Sequence, residues 1–372
     1  MILPARPEPD RPARAWRERA GEGAAILQAA LRVLGALWLA ALLAVVSLGV
    51  IHRYGFGAGL VWSDEAAVWL LVALIATGLP LAATGPLAMR LDGLARRLPA
   101  PGRAVAGIAA DAVVVLAGLA LAVGGAQAAF AVGGRSTVLG LPEGLRFAAV
   151  AVGGAGSVLL LVLERTAAAG PRVALAGLVG GIGLFALSRL VALPPAETPS
   201  LAVALAAGAA LAVGAPLPHA LLAALSLGGT IGSPLSAAGL AQSATAGIGK
   251  ILLLAIPFFL LAGEILVRAG IAQRLVRFAA SMVGHRRSGL AQTVLLTSVL
   301  FSGASGSSVA NAAFGAKVLA PSLVERGMAP PRAAAIVAAA SMLDNIIPPS
   351  IAFLFLAVAT NLSVGGLLVG GL

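Results

Sequence analysis

Long apolar runs, each close to the length of a membrane-spanning helix, recur along most of this chain. About 20 apolar residues in a helix cross the hydrocarbon core of a bilayer, which is about 30 Å thick. Because backbone polar groups find no water in that core, runs of this kind are expected to fold as helices. The runs lie at residues 26–51, 66–88, 104–132, 145–163, 173–193, 200–231, 251–267, 289–322 and 333–361. The sequence therefore predicts an all-α polytopic membrane protein.

The overall composition agrees with this fold class and excludes several functions. Hydrophobic residues make up 60% of the chain and charged residues 10%, whereas a soluble domain is nearer about 50% and about 25%. The net charge is +11, but only 4% of residues are aromatic. The basic residues lie between the apolar runs rather than along one stripe, so nucleic acid is not an expected partner. The absence of cysteine excludes disulfides, a thiol nucleophile and Cys-ligated metal sites.

The distribution of basic residues predicts the orientation in the membrane. With the N-terminus inside, 18 of the 25 basic residues fall in segments that face the cytoplasm, as the positive-inside rule requires. These segments are residues 1–25, 86–105, 164–172, 268–288 and 323–332. We expect residues 1–25, which are rich in Arg and Pro, to form a disordered cytoplasmic tail.

This orientation fixes how often the ambiguous runs cross the membrane. The run before residues 200–231 ends outside, and the run at 251–267 begins outside. Residues 200–231 must therefore cross the membrane twice, with a break at residues 214–218. Residues 289–322 begin and end inside, so they are predicted to form a re-entrant hairpin with its tip at residues 302–308. The prediction is about nine spans plus this one hairpin.

The same pattern divides the chain into domains. The predicted divisions are the tail at residues 1–25, a four-span scaffold at 26–165, a connecting transmembrane helix at 166–198 and a second domain at 199–372.

The hairpin tip is the first candidate site. Its small and hydroxyl residues expose carbonyl and hydroxyl oxygens, which suit a hard cation such as Na⁺. Close helix contact through small residues is the alternative interpretation. The motif Gly303-Ala304-Ser305-Gly306 also matches the G-x-S-G of intramembrane serine proteases, but all three histidines precede Ser305. A later histidine base is therefore missing, and we expect no enzyme.

A helix broken by two prolines is the second candidate site. Pro348 and Pro349 lack N–H groups and disfavour helix in the preceding residue. A break at this depth frees carbonyls and leaves a half-helix beginning after Ser350, which is how secondary transporters build sites at the bilayer midplane. Asp344 lies beside the break and Glu264 lies near the inner end of its span, so both are possible functional carboxylates. For Glu264, a local pair with Arg268 is an equal alternative.

Short motifs along the chain resemble the tripartite ATP-independent periplasmic (TRAP) transporters. Residues 26–165 resemble the small membrane subunit through Arg53-Tyr54-Gly55-Phe56, Trp62-Ser63-Asp64-Glu65 and Met89-Arg90-Leu91-Asp92. Residues 200–372 resemble the first half of the large subunit through residues 256–263, 270–272, 302–310 and 347–350. Residues 173–193 fit the connecting helix of fused versions. The chain is thus similar to a fused permease whose large subunit is truncated after its first repeat.

The resemblance implies an elevator-type transporter half of the bacterial inner membrane, with Na⁺ as coupling ion and no other cofactor. The substrate would be an organic acid, commonly a carboxylate, delivered by a periplasmic binding protein. Further expected partners are membrane lipids and the missing second half of the large subunit. The alternative is a non-transporting membrane scaffold or interaction subunit, or a degenerate fragment.

The resemblance also implies which residues bind ions and substrate. They are Ser302, Gly303, Ser305, Gly306, Ser307, Ser308, Asn311, Asn345, Pro348, Pro349 and Ser350. Of these, the Na⁺ ligands are expected among Gly303, Ser305, Ser307, Asn345 and Pro348.

Overall fold

The computed structural model describes residues 11–85, 88–190, 199–228, 236–286 and 288–371, with the backbone alone at 11–14, 92, 304 and 305. Within these ranges every regular element is a helix, and the only extended pairings are isolated bridges. The chain divides into two compact units, residues 1–249 and 250–372.

The first unit contains nine α-helices in its described ranges. They are α1 (Arg11–Gly55), α2 (Val61–Ala83), α3 (Asp92–Ala95), α4 (Ala100–Ala131), α5 (Gly144–Ala169), α6 (Pro171–Leu190), α7 (Pro199–Ala212), α8 (Leu217–Gly228) and α9 (Ala237–Ile248).

The second unit begins with a 3₁₀ turn and contains eight α-helices in its described ranges. The elements are the 3₁₀ turn Ile251–Leu254, α10 (Ala255–Arg268), α11 (Ile271–Val283), α12 (Gly289–Ser305), α13 (Ser308–Phe314), a π-helical turn Gly315–Leu319, α14 (Ala320–Glu325), α15 (Pro330–Ser341), a second 3₁₀ turn Met342–Asn345, α16 (Ile351–Thr360) and α17 (Val364–Gly370).

Within the described residues, six helical segments are long and apolar enough to cross a membrane. They are Ala15–Gly55, Val61–Ala83, Ala100–Ala131, Gly144–Ala169, Pro171–Leu190 and Ile251–Arg268. These six coincide with the first five predicted spans and with the predicted span at 251–267, and the all-α polytopic fold class is confirmed. The remaining predicted crossings consist of shorter helices, among them α7, α8 and α16.

The predicted disordered tail is wrong for residues 11–25. Helix α1 begins at Arg11 and continues without a break into the first membrane-length segment. The physical reason is composition, because Ala, Arg and Glu are strong helix formers and fill most of this stretch. Residues 1–10 lie outside the described residues.

Helix α4 forms the centre of the first unit and contacts α5, α6, α8 and α9. Its contact with α5 is close because glycines face each other. A Cβ atom added to Gly118 would lie 2.8 Å from the carbonyl oxygen of Gly154. Small residues let helix backbones approach in this way, which is the main source of helix association in membranes.

Helices α8 and α9 contact α4 although they follow the connecting helix α6 in the sequence. Gly124 of α4 lies directly against the backbone carbonyl of Ala237 in α9, leaving no room for a side chain. The boundary between the two compact units, at Gly249, therefore falls later in the sequence than the predicted domain boundary at residue 199.

The second unit has its own hydrophobic core. Phe301 of α12 and Phe314 of α13 stack with ring centroids 5.0 Å apart. Both rings are almost fully buried and pack with Leu323 and Val337. This core holds the end of α12, the end of α13 and the body of α15 in one cluster.

Candidate functional site

The predicted hairpin tip is a sharp turn between α12 and α13. Gly306 ends α12 in the left-handed conformation, with φ of 60°, and its N–H donates to the Ser302 carbonyl. Glycine adopts this conformation with little strain. Ser307 then caps α13, because its side-chain oxygen accepts the Ala310 N–H at 3.3 Å. The structure thus begins a new helix immediately after the turn.

The predicted break lies between α15 and α16. Helix α15 ends at Ser341, the 3₁₀ turn Met342–Asn345 follows, and the Pro348-Pro349 peptide is cis. Ser350 is almost fully buried and makes two hydrogen bonds. Its hydroxyl donates to the Asn345 carbonyl at 2.9 Å and accepts the Phe353 N–H at 3.3 Å, which caps α16.

Two hydrogen bonds join the tip to the break. The Gly306 carbonyl accepts the Ile351 N–H at 3.1 Å. The Asn311 side-chain Nδ2 donates to Oδ1 of Asp344 at 3.2 Å. Asn311 is 1% exposed and Asp344 is 0% exposed. The two motifs that the sequence singled out separately are therefore parts of one polar constellation.

Gly306 is required at this junction for a second reason. A Cβ atom at Gly306 would lie 2.6 Å from the carbonyl oxygen of Pro349. The tip and the break approach each other so closely that only a residue without a side chain fits between them.

The predicted site residues differ in how they relate to this junction. Ser302 is fully buried, and its hydroxyl donates to the Val299 carbonyl within α12 at 2.7 Å. Gly303, the next residue of α12, is exposed. The half-buried positions are Ser307, Ser308, Asn345, Pro348 and Pro349. The side chain of Ser305 lies outside the described residues.

The two predicted carboxylates have different surroundings. Asp344 lies in the junction described above. Glu264 forms an ion pair with Arg268 one helical turn away, at 2.6 Å, with side-chain exposures of 57% and 80%. The structure therefore places Glu264 in the local pair that was the alternative at the sequence level.

A cavity of about 600 Å³ lies beside the core of the second unit. Phe301, Ala310 and Phe314 form its apolar wall, and Glu264, Gln273 and Lys317 are polar residues of its lining. Lys317 lies in the π-helical turn, an irregularity that is frequent at functional sites.

The first unit contains a buried ion pair that the sequence analysis did not predict. Asp111 of α4 is 2% exposed, and its Oδ1 accepts from Arg165 Nε at 2.8 Å and forms an ion pair with Arg165 at 2.6 Å. Its partner lies in α5, and the spacing between the two residues in the sequence carries no signal of their contact.

Long apolar helices and a polar junction built from a helical turn and a broken helix are typical of polytopic membrane proteins of the secondary-transporter type. Comparison with known proteins identifies the transporter family. Residues 199–372 match the family described as "Tripartite ATP-independent periplasmic transporter, DctM component", and residues 42–169 match the DctQ component of the same transporters. The chain belongs to the TRAP transporter permeases, with small-subunit and large-subunit segments fused in one polypeptide.

Individual relatives are large permease proteins of TRAP transporters. The C4-dicarboxylate large permease DctM of Vibrio cholerae is 39% identical over 140 residues, covering 37% of this chain and 31% of the relative. The 2,3-diketo-L-gulonate large permease YiaN of Escherichia coli is 37% identical over 133 residues, covering 36% and 31%. The sialic acid large permease SiaM of Vibrio cholerae is 35% identical over 131 residues, covering 35% and 31%. The chain spans about a third of the length of these curated relatives. The matches indicate a transporter rather than an enzyme.

Proposed function

We propose that this chain forms part of a Na⁺-coupled permease that imports an organic acid, a carboxylate, delivered by a periplasmic binding protein. The permease lies in the bacterial inner membrane with its N-terminus in the cytoplasm. The orientation is supported by the distribution of basic residues, because 18 of the 25 lie in the predicted cytoplasmic segments. The substrate class is supported by the names of the relatives, which include a C4-dicarboxylate and a sialic acid permease.

The junction of the tip with the break is the observation that carries this proposal. A fully buried carboxylate, Asp344, and a fully buried amide, Asn311, meet where two helices end and two begin. Desolvated polar groups of this kind are costly in a membrane protein, and they mark ion and substrate pathways. Discontinuous helices with exposed carbonyls are the usual way to bind Na⁺ at membrane depth.

The oxygen atoms at the junction fit a hard cation such as Na⁺. The hydroxyl of Ser307, the carbonyl of Pro348 and the carboxylate of Asp344 supply oxygen atoms, which hard cations prefer as ligands. We propose that the Na⁺ ligands come from Gly303, Ser305, Ser307, Asn345 and Pro348, with Asp344 setting the local negative charge. The remaining proposed site residues shape the junction or contact substrate, and they are Ser302, Gly306, Ser308, Asn311, Pro349 and Ser350. A second repeat of the large subunit would supply the other half of this site.

An elevator-type mechanism, in which the tip and the break move as one body and the tip re-enters the membrane from the cytoplasmic side, is part of the proposal. The grouping of residues 250–372 into a compact unit with its own hydrophobic core supports a body of this kind.

The test is uptake into proteoliposomes by the permease that contains these residues, with its cognate binding protein and a panel of organic acids. We expect uptake only when an inward Na⁺ gradient and the binding protein are both present. Asp344→Asn should raise the Na⁺ concentration for half-maximal uptake by about tenfold or more, since about 1.4 kcal/mol of lost ion binding corresponds to a factor of ten.

The matched control is Met342→Ala, an exposed neighbour in the same 3₁₀ turn. It should leave the Na⁺ dependence unchanged. Uptake that is independent of Na⁺ would refute the coupling. Stable assembly with no uptake of any acid would favour the non-transporting scaffold instead.

A further inference from the structure

Four arginines converge at one end of the first unit. Arg90 follows α2, Arg96 follows α3, Arg103 lies in the first turns of α4, and Arg165 lies near the end of α5. They line three cavities of about 500, 450 and 230 Å³, and the smallest is lined by all four. Arg165 lines all three cavities, which makes them neighbours around one cluster of positive charge.

Among the side chains that the structure describes, basic groups outnumber acidic groups at this place. The described charged residues that line the three cavities are the four arginines and two carboxylates, Asp111 and Glu164. Asp111 is held by Arg165, and Glu164 accepts a hydrogen bond from the Gln28 amide. The start of the 32-residue helix α4 adds the positive end of its dipole. The cluster therefore favours an anion.

A buried hydroxyl points to the same ligand independently of charge. Thr84 is 4% exposed and lines the 500 Å³ cavity. Its Oγ1 has no hydrogen-bond partner among the residues that the structure describes. A buried hydroxyl without a partner is costly, and a phosphate oxygen at this place would accept a hydrogen bond from it.

The 500 Å³ cavity is lined largely by polar and charged residues, whereas the neighbouring 450 Å³ cavity has an apolar side. The 450 Å³ cavity is lined by Arg103, Asp111 and Arg165 on one side and by small or apolar residues on the other, among them Ala104, Ile108 and Val173. A ligand that fills both cavities would need an anionic group joined to a hydrocarbon chain. Free phosphate would fill only the first.

We propose that this end of the first unit binds an anionic phospholipid. Its phosphate lies among Arg90, Arg96, Arg103 and Arg165 with Thr84 as a donor, and part of an acyl chain lies in the 450 Å³ cavity. With the proposed orientation, these helix ends face the cytoplasmic leaflet. Basic pockets between transmembrane helices on that side bind anionic headgroups.

The experiment compares four additions to the purified protein in neutral detergent: phosphatidylglycerol, phosphatidylcholine, inorganic phosphate and glycerol 3-phosphate. Thermal unfolding is followed by tryptophan fluorescence, because all four tryptophans lie before residue 70 and report on the first unit. Native mass spectrometry measures how much lipid each sample retains. We expect phosphatidylglycerol to stabilise and to be retained, and the other three to do neither.

Arg96→Gln with Arg103→Gln should weaken phosphatidylglycerol binding about thirtyfold, from the loss of about one headgroup contact per arginine. The matched control is Arg97→Gln with Arg172→Gln, two exposed arginines that line none of the three cavities. The control should bind lipid as the unmodified protein does. Thr84→Val, which keeps the shape and removes the hydroxyl, should weaken retention severalfold and provides a test if the arginine variant fails to fold.

Three results would overturn the proposal. Equal retention of phosphatidylcholine would show that charge is not recognised. Equal stabilisation by inorganic phosphate would show a simple anion site without a lipid. Equal weakening in the control variant would show a general charge effect rather than this cluster.

Discussion

Replacing Gly306 by alanine is the sharpest test of the junction between the tip and the break. The left-handed conformation costs a residue with a Cβ atom about 1–2 kcal/mol. The added Cβ would lie 2.6 Å from the Pro349 carbonyl oxygen, so the break must move away. That movement removes the hydrogen bond from the Ile351 N–H to the Gly306 carbonyl, which contributes about 1 kcal/mol. We expect a local destabilisation of about 2–3 kcal/mol.

Hydrogen exchange followed by mass spectrometry measures this local destabilisation peptide by peptide. The amide of Ile351 should exchange about 30- to 150-fold faster in Gly306→Ala, because each 1.4 kcal/mol corresponds to about a factor of ten. Peptides from α4 and α5, in the other compact unit, should exchange at their original rates.

Gly303→Ala is the matched control. Gly303 lies in the last turn of α12, is exposed, and has no atom within 4 Å of an added Cβ. Alanine there should stabilise the helix by about 0.5–1 kcal/mol. Exchange at Ile351 that is equal in the two variants and in the unmodified protein would refute the close approach of tip and break.

Three further predictions concern buried polar groups and orientation. Asn311→Leu should lower the thermal midpoint, because Asp344 loses a buried hydrogen-bond donor at a cost of about 1–3 kcal/mol. Adding Asp344→Asn to this variant should recover part of the lost stability. If the effects of the two substitutions simply add, the contact between the two side chains is contradicted. Asp111→Asn should destabilise the first unit by about 2 kcal/mol. This is less than the loss expected from breaking a fully buried ion pair, because the Arg165 side chain is 29% exposed. An unchanged unfolding midpoint, followed by tryptophan fluorescence, would contradict this. The chain has no cysteine, so Arg97→Cys and Thr137→Cys can each be labelled with an impermeant maleimide, and only Thr137→Cys should react in intact cells, whereas the reverse pattern would invert the orientation.

The sequence predicted the elements that depend on local pattern. The five long runs before residue 194 and the run at 251–267 fold as helices because an apolar stretch of that length has no other way to satisfy its backbone in a bilayer. The turn at Gly306 and the break at Pro348 were also predictable, since glycine permits a left-handed turn and proline cannot continue a helix.

Contacts between distant residues were not predictable from one sequence. Asn311 and Asp344 were each singled out, but 33 positions separate them and nothing in the pattern pairs them. Asp111 is 54 positions from Arg165, and its burial depends on how α4 meets α5. The helical start of α1 differs from the prediction for another reason. A high content of Arg and Pro indicates disorder, but Ala and Glu in the same stretch favour a helix.

The contacts of α8 and α9 with α4 change the meaning of the covalent link between the small-subunit and large-subunit segments. These helices belong to the segment that matches the large subunit, yet they lie in one compact unit with the helices that match the small subunit. The residues between the two matches act as a tether that raises the effective concentration of one surface near the other. Association through Gly124 and Ala237 already has the close fit of a subunit interface. The covalent link therefore makes contact between these two segments independent of protein concentration.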